Sequence, residues 1–162
     1  MDFLWTPWRY RYVTNAGKDD RCIFCDALAL ADDTKSFIIF RGVKNFVILN
    51  CFPYTTGHVM VVPFAHVPDL ADCDPATLAE MMTIARRVQL ALSAAYRPEG
   101  FNLGMNLGRC AGAGVAGHLH LHVLPRWAAD TNFMTVTGET RVQPEDLEIT
   151  FEKLRRALAE QR

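Results

Sequence analysis

One stretch of the chain reads Gly117-His118-Leu119-His120-Leu121-His122-Val123-Leu124-Pro125 and contains three of its five histidines. Side chains alternate between the two faces of a β-strand, so residues two apart share a face. In a strand, the three imidazoles would project from one face and the intervening apolar side chains from the other. The stretch therefore predicts a strand with one apolar face and one face of imidazoles.

Three interpretations of the imidazole face are open. The first is a solvent-facing strand edge, although three imidazoles on one face are costly to leave unpaired. The second is a metal site, since residues roughly 6.5–7 Å apart let two histidines reach one ion. The third is nucleophilic catalysis, because a neutral imidazole can attack phosphorus with its free lone pair. A hydrogen bond would hold its other nitrogen, and a neighbouring histidine can supply a proton to the leaving oxygen.

A glycine-rich segment leads directly into the histidines. It contains half of the ten glycines of the chain, at positions 104, 108, 112, 114 and 117. Backbone N–H groups of such a loop can approach phosphate oxygens closely, and a merely flexible hairpin loop is the alternative. The sequence has no Gly-Lys-Ser/Thr, so this is not a Walker P-loop. Its fusion to the histidine stretch favours a phosphate cradle.

The histidine stretch resembles the His-φ-His-φ-His-φ-φ signature of the histidine triad superfamily, where φ is hydrophobic. Residues 50–66 are similar to the upstream block of that superfamily. Residues 4–9, 125–127 and 131–134 resemble its bacterial branch that contains diadenosine tetraphosphate phosphorylases. The resemblance covers nearly the whole chain. It implies nucleotidyl transfer or hydrolysis at an α-phosphate through a covalent nucleotidyl-histidine.

The resemblance also implies roles for single residues. His120, the middle histidine, would be the nucleophile, and His122 would hydrogen-bond a phosphate or leaving-group oxygen. Asn50 would hold the ribose hydroxyls, with an ordinary strand-end turn residue as the alternative. His58 would lie beside the triad and orient it, with a satisfied core histidine as the alternative.

The phosphate side of the site departs from the family pattern. Asn106 matches an asparagine of the phosphate loop, but the loop is one residue longer than in the commonest members. Many relatives carry glutamine or serine just before the triad, whereas residues 113–115 here read Ala-Gly-Val. We therefore expect phosphate contacts from Asn106, from Arg109 and from backbone N–H groups such as that of Gly114.

Cys22-Ile-Phe-Cys25 has the two-residue spacing of half a zinc knuckle. Zinc takes four ligands, and only histidines could complete the set without another nearby cysteine. A redox pair and two buried reduced thiols are the alternatives, although residues 17–21 do not resemble the strand that a thioredoxin-like pair requires. In relatives with this motif, the other ligands correspond to His66 and His118. The resemblance thus implies a structural zinc ion with four protein ligands.

The remaining pattern predicts an α+β fold. Short apolar runs at residues 37–40, 46–49, 59–62, 101–107 and 119–124 predict strands. Their connections are mostly too short for parallel crossovers, so the sheet is predicted to be antiparallel. Asp74-Pro75 begins a long helix that ends at Pro98 and Gly100. Its predicted apolar face is Leu78, Met81, Met82, Ala85, Val88 and Leu92. Pro144 begins a C-terminal helix with Glu145 and Asp146 in its first turn.

Composition limits the class of protein. With 162 residues, 50% hydrophobic and 22% charged, we expect a single globular domain over residues 1–162. The net charge of −1 argues against a nucleic-acid or anionic-membrane binder. No apolar run reaches the roughly 18 residues of a membrane span. An odd number of cysteines and no signal-peptide pattern predict reduced thiols in the cytoplasm.

Together these observations predict a histidine-triad enzyme that cleaves dinucleoside polyphosphates, with inorganic phosphate or water as the acceptor. Its relatives imply a homodimer with structural zinc. A purine nucleoside phosphoramidate hydrolase is the alternative enzyme, and a nucleotide-binding protein without turnover is the alternative outside enzymes. Trp5, Trp8 and Trp127 are candidates for a base pocket, a subunit contact or the core.

Overall fold

Five strands and four helices make up the part of the chain that the computed structural model describes, residues 21–128, 130 and 144–161. The strands are β1 (Ile38–Arg41), β2 (Asn45–Leu49), β3 (Val59–Pro63), β4 (Gly100–Gly104) and β5 (Leu121–Arg126). The helices are α1 (Ile23–Ala29), α2 (Asp33–Ser36), α3 (Pro75–Tyr96) and α4 (Leu147–Ala159). A short 3₁₀ helix, Arg109–Ala111, lies between β4 and β5. No described helix is both long enough and apolar enough to cross a lipid bilayer.

The strands form one sheet in the order β1-β2-β3-β5-β4, and every neighbouring pair is antiparallel. The predicted α+β class with an antiparallel sheet is therefore confirmed. His122 on β5 pairs with Met60 on β3 and with Gly104 on β4. Residues directly opposite each other share a face of the sheet, so these three define the face on which His122 lies.

Helices α3 and α4 cover the other face of the sheet. Leu119, Leu121 and Val123 are buried there together with apolar residues of α3 and α4, such as Leu92 and Phe151. The proline at the start of α3 fits its first turn, and the side chain of the preceding Asp74 caps it by accepting from the N–H of Ala76.

Helix α1 covers only part of the opposite face. A second apolar cluster forms there from Phe24, Ala27, Ile38, Phe46, Ile48, Met60 and Val62, which lie on α1 and on strands β1 to β3. Helix α1 packs over this end of the sheet, and the histidine face of β5 lies next to it. Neither α1 nor α2 was predicted from the sequence.

The predicted strand boundaries that lie beside the histidines were wrong. Strand β4 ends at Gly104 instead of residue 107, because its last partner is His122. Strand β5 begins at Leu121 instead of residue 119. The N–H of Leu119 donates to the carbonyl of Val67 at 2.7 Å, so this residue is held by the loop after β3. His118 and His120 consequently lie before β5, whereas the histidine pattern predicted all three histidines within one strand.

Two helix predictions also needed correction. The C-terminal helix begins at Leu147, with Asp146 at its N-cap, so Glu145 lies outside the first turn. The Glu145 carboxylate instead accepts from the hydroxyls of Tyr96 and Thr150, which ties the start of α4 to α3. Met82 is 57% exposed and does not belong to the apolar face of α3, where Ile84 and Ala91 are buried instead.

Candidate active site and metal cluster

The three triad histidines point away from the α3–α4 core, as the alternation predicts. Their neighbours Leu119, Leu121 and Val123 belong to that core. The ring of His118 lies 4.9 Å from that of His66, and the ring of His120 lies 4.9 Å from that of His122. His118 therefore belongs to one group of side chains, and His120 and His122 belong to another.

The first group brings together Cys22, Cys25, His66 and His118, whose ligand atoms all lie within 4.8 Å of one another. The Sγ of Cys22 is 3.2 Å from the Nδ1 of His118, and the Sγ of Cys25 is 3.4 Å from the Nδ1 of His66. A tetrahedral ion with metal–sulfur and metal–nitrogen bonds of about 2.3 and 2.0 Å separates such atoms by roughly 3.6 Å. The four residues are therefore positioned to bind a metal ion.

A hydrogen bond to the end of β3 orients the ring of His118. Its Nε2–H donates to the carbonyl oxygen of Pro63 at 2.9 Å, which leaves the lone pair of Nδ1 directed at the two cysteines. The imidazole is 1% exposed, and this burial lowers its pKa. The ring is consequently neutral, which is the form that ligates a metal.

Both cysteines lie at the start of α1. Cys22 directly precedes the helix and Cys25 lies in its first turn, so this end of α1 places both thiols beside the loop after β3. Burial, followed by the neighbouring Cys22, raises the pKa of the Cys25 thiol. Metal binding would have to displace this proton, since the thiolate is the ligand.

His120 begins the second group. Its Nδ1–H donates to the backbone carbonyl of His118 at 2.7 Å, so Nε2 carries the free lone pair. The residue is 5% exposed, and burial lowers its pKa. A neutral imidazole with one nitrogen fixed and the other free is the form that nucleophilic attack requires.

A hydrogen bond also joins the rings of His58 and His122. The backbone N–H of Tyr54 donates to the Nδ1 of His58 at 3.1 Å, so the proton of this ring is on Nε2. The Nε2 of His58 lies 2.8 Å from the Nδ1 of His122, so the Nε2–H of His58 donates a hydrogen bond to that nitrogen. The remaining proton of a neutral His122 is then on its Nε2. His122 can therefore donate a hydrogen bond to a substrate oxygen beside His120.

The environment keeps His122 neutral. Burial, and then the repulsion that a protonated His120 would exert, lowers the pKa of His122 to about 4. His58 is 1% exposed, and both of its ring nitrogens are engaged. The orienting role expected of His58 stays a prediction. Gly57, with φ +81°, allows the turn into His58, and a Cβ there would lie 2.9 Å from Leu92.

Asn50 lies against the ring of His58. Its Nδ2 is nearly equidistant from the two ring nitrogens, at 3.3 and 3.4 Å, and its Oδ1 accepts from the N–H of Phe52 at 2.9 Å. The backbone N–H of Asn50 donates to the carbonyl of His58 at 3.0 Å. The structure thus brings Asn50 to the edge of the histidine pair.

The predicted phosphate loop joins β4 to the histidines. Asn106 and Gly114 lie half-buried in it, and Arg109 is exposed on its 3₁₀ helix. Val115 packs against the second apolar cluster, on α1 and strands β1 to β3. This contact folds the loop back over the sheet. Within the described ranges, neither Asn106 nor Gly114 forms a hydrogen bond with a histidine, so they stay candidates by position alone.

Two residues beside the histidines were not predicted from the sequence. Phe24, between the two cysteines, packs against His118 and His120 with ring centroids 5.3 and 5.2 Å apart. Tyr54 packs on His58 at 4.9 Å and donates to it through its backbone. No sequence signal singles out Phe24, since the other apolar residue between the two cysteines is 56% exposed. Tyr54 acts through its N–H, which every residue except proline carries.

Part of the predicted site falls outside the described residues. This holds for Trp5, Trp8 and residues 131–134, which carried part of the resemblance. Trp127 is half-buried directly after β5. Its N–H donates to the carboxylate of Asp130, which also pairs with Arg126. Pro125, from the same block, lies within β5 opposite Phe101.

Comparison with known proteins gives the same assignment of the fold. A family model for the HIT domain matches residues 32–129. The chain is 37% identical to the AP-4-A phosphorylase of Mycobacterium tuberculosis over 91% of its own length and 79% of that protein. It is 34% identical to the asymmetrical bis(5'-nucleosyl)-tetraphosphatase of Schizosaccharomyces pombe over 59% of this chain and 52% of that protein.

Solved structures agree with this match. A zinc-bound histidine triad family protein from Mycobacterium smegmatis superposes with a TM-score of 0.70 and 31% sequence identity. The alignment covers 86% of this chain and 94% of that one.

Proposed function

Because the chain belongs to the HIT domain family, we propose that it is an enzyme that splits dinucleoside polyphosphates by nucleotidyl transfer through His120. One observation carries the proposal. The Nδ1–H of His120 is bound to the His118 carbonyl, and its free Nε2 lies beside a histidine that can donate a hydrogen bond. The AP-4-A phosphorylase and the tetraphosphatase among the relatives support the substrate class.

In the first step, the Nε2 lone pair of His120 forms a bond to an α-phosphorus. The bond from this phosphorus to its bridging oxygen breaks, and the electron pair leaves on the nucleoside polyphosphate. The Nε2–H of His122 hydrogen-bonds the leaving or a non-bridging oxygen, where negative charge develops. The His118 carbonyl holds the Nδ1 proton of His120 and stabilises the positive charge that the ring acquires on attack.

Substrate binding is assigned to residues around this pair. Asn50 would hold the ribose hydroxyls, and His58 would keep His122 in the donating tautomer. Asn106 and the backbone N–H of Gly114 would contact the phosphates, with Arg109 as a further cation. The open loop backbone provides N–H groups where the chain has no side-chain donor at residues 113–115.

For the second step we favour inorganic phosphate as the acceptor. A phosphate oxygen attacks the phosphorus of the nucleotidyl-histidine, the P–N bond breaks, and the electron pair returns to His120. Diadenosine tetraphosphate would thus give ATP in the first step and ADP in the second. The similarity to an AP-4-A phosphorylase over 91% of the chain supports phosphate over water.

The metal cluster is proposed to bind structural zinc. Two thiols and two imidazoles are a donor set that zinc prefers, and a zinc-bound relative has the same fold. With all four positions taken by Cys22, Cys25, His66 and His118, the ion would fix the segment that precedes His120. The free thiols of this set require a reducing compartment, which is consistent with a cytoplasmic enzyme.

We further propose that the enzyme is a homodimer through β4. This strand is at the edge of the sheet, its outer edge pairs with no other strand in the described ranges, and Leu103 on it is 44% exposed. Edge strands of this kind readily pair with a second chain. Light scattering should give twice the chain mass, and a monomer would contradict this part of the proposal.

The acceptor is tested by chromatography of the products of diadenosine tetraphosphate, with and without inorganic phosphate. With phosphate present, the proposal predicts equal amounts of ATP and ADP. If AMP dominates at saturating phosphate, the enzyme is a hydrolase. If neither product forms and only nucleoside phosphoramidates are cleaved, the proposed substrate class is wrong.

A further inference from the structure

Phe24 occupies an unusual place between the two candidate centres. It lies on α1, two residues after Cys22 and one residue before Cys25, and it is 1% exposed. Its ring contacts His118 of the metal cluster edge-on and His120 of the catalytic pair at an interplanar angle of 48°. A single side chain thus bridges the metal cluster and the candidate nucleophile.

The imidazole of His120 is fixed by a hydrogen bond at one atom. Its only hydrogen bond in the described structure runs from Nδ1 to the His118 carbonyl, which fixes one atom but allows the ring to tilt about it. His122 bounds the ring on one side, with centroids 4.9 Å apart at 77°. Phe24 bounds it from α1, with centroids 5.2 Å apart. In-line attack requires the free nitrogen to keep its direction, because small misplacements cost rate.

Resting on the proposed function, we propose that Phe24 is a positioning residue that holds the imidazole of His120 in the direction of attack. The flat aromatic ring supplies a wall that an aliphatic side chain does not reproduce, and its interaction with imidazole has a preferred geometry. Phe24 touches neither substrate nor reacting atoms in this account and acts through His120.

The position of Phe24 depends on the metal cluster. Helix α1 has seven residues, and a helix this short has little stability of its own. Its place on the sheet is therefore set by the apolar cluster and by the cysteines at its start. Any test must accordingly separate loss of the aromatic wall from loss of the metal.

The matched variants are Phe24→Leu and Phe46→Leu. Both residues are buried phenylalanines of the same apolar cluster, but the ring contact of Phe46 is with Phe64. We expect Phe24→Leu to lower kcat roughly ten- to hundredfold, with KM within about twofold and zinc content equal to wild type. Phe46→Leu should lose comparable thermal stability and keep kcat.

A second readout does not depend on turnover. With ¹⁵N-labelled histidine, the ring signals of His120 are identified by their loss in His120→Asn. We expect them to broaden or split in Phe24→Leu, because the ring then adopts several directions, and to stay sharp in Phe46→Leu. A change of position alone is the lost ring current of Phe24. If wild type does not cleave dinucleoside polyphosphates, the proposed function fails while these spectra still test the contact.

Three results would overturn the inference. They are an equal loss of kcat in both variants, loss of zinc from Phe24→Leu alone, and a single sharp set of His120 ring signals in Phe24→Leu. The first would show a general effect of the core, the second an effect through the metal, and the third that the ring direction does not depend on Phe24.

Discussion

The Nδ1 of His120 lies 2.7 Å from the backbone carbonyl oxygen of His118, so the candidate nucleophile is fixed by the main chain of a candidate metal ligand. The side chain of His118 is itself held by the carbonyl of Pro63. Each imidazole thus has one nitrogen that hydrogen-bonds a backbone carbonyl. The other nitrogen of His118 lies 3.2 Å from the Sγ of Cys22, whereas the Nε2 of His120 has no hydrogen-bond partner in the described structure.

Removing one thiol should remove the metal and stability together. Cys25→Ser replaces a ligand whose sulfur lies 3.4 Å from the Nδ1 of His66, and ligand binding energy contributes to folding. We expect one zinc per chain in wild type and none in the variant, with a fall in Tm of at least about 5 °C. Elemental analysis and thermal melting of protein purified without chelators measure both.

Cys110→Ser is the matched control, because this thiol is exposed and lies outside the metal cluster. It should leave zinc content and Tm unchanged. A wild-type protein that contains no metal and melts at the temperature of Cys25→Ser would contradict the zinc assignment.

The hydrogen bond from His58 to His122 should matter for turnover. His58→Leu leaves the Nδ1 of His122 without the 2.8 Å donor, so His122 can adopt the tautomer that does not donate to substrate. We expect kcat to fall about 10- to 100-fold with little change in KM. His58→Gln, whose amide can both accept and donate, should retain more activity; equal loss in both variants would argue against tautomer control.

Stability should decrease as the pH falls from about 6.5 towards 4. His122 has a folded pKa of about 4 against an ordinary value of 6.5, so the unfolded chain binds the proton first and unfolding is favoured in this window. The loss is complete below the folded pKa. Urea titrations at neutral pH and at a pH of about 5 should show a smaller pH dependence for His122→Asn, by on the order of 1 kcal/mol. Equal pH dependence in both proteins would refute the shift.

Two features could be predicted from the sequence, namely the alternation of the histidine stretch and the four residues of the metal cluster. The first follows from the period of two in extended chain, with Leu119 and Leu121 in the core. The second came from family resemblance, since Cys25 and His66 are 41 residues apart and no local pattern links them. The fold brings them together because α1 lies against the loop that follows β3.

What the sequence could not predict depends on contacts between distant elements. Met82 fits the helical period of α3 but is exposed, because the surface that α4 and the sheet cover is narrower than the apolar stripe. Glu145 fits a first helical turn, yet Tyr96 and Thr150 draw its carboxylate away. The position of Phe24 beside His120 required the orientation of α1, a helix that sequence reasoning did not predict.

His120 is the proposed nucleophile. His120→Asn removes the attacking nitrogen but keeps a polar side chain of similar reach. We expect turnover to fall by several orders of magnitude, because no other group replaces the nucleophile. Binding of a non-cleavable dinucleotide analogue, measured by calorimetry, should change little. A variant that keeps more than about a tenth of wild-type activity would exclude His120 as the nucleophile.

Covalent trapping identifies the nucleophile by the adduct that it carries. Wild-type protein is mixed with diadenosine tetraphosphate in the absence of phosphate, quenched within one turnover at alkaline pH, digested and analysed by mass spectrometry. We expect an adenylyl group on the peptide that contains His120, absent from His120→Asn and removed as ADP when phosphate is added before quenching. Full product formation with no adduct at His120, or with an adduct at another residue, would contradict it.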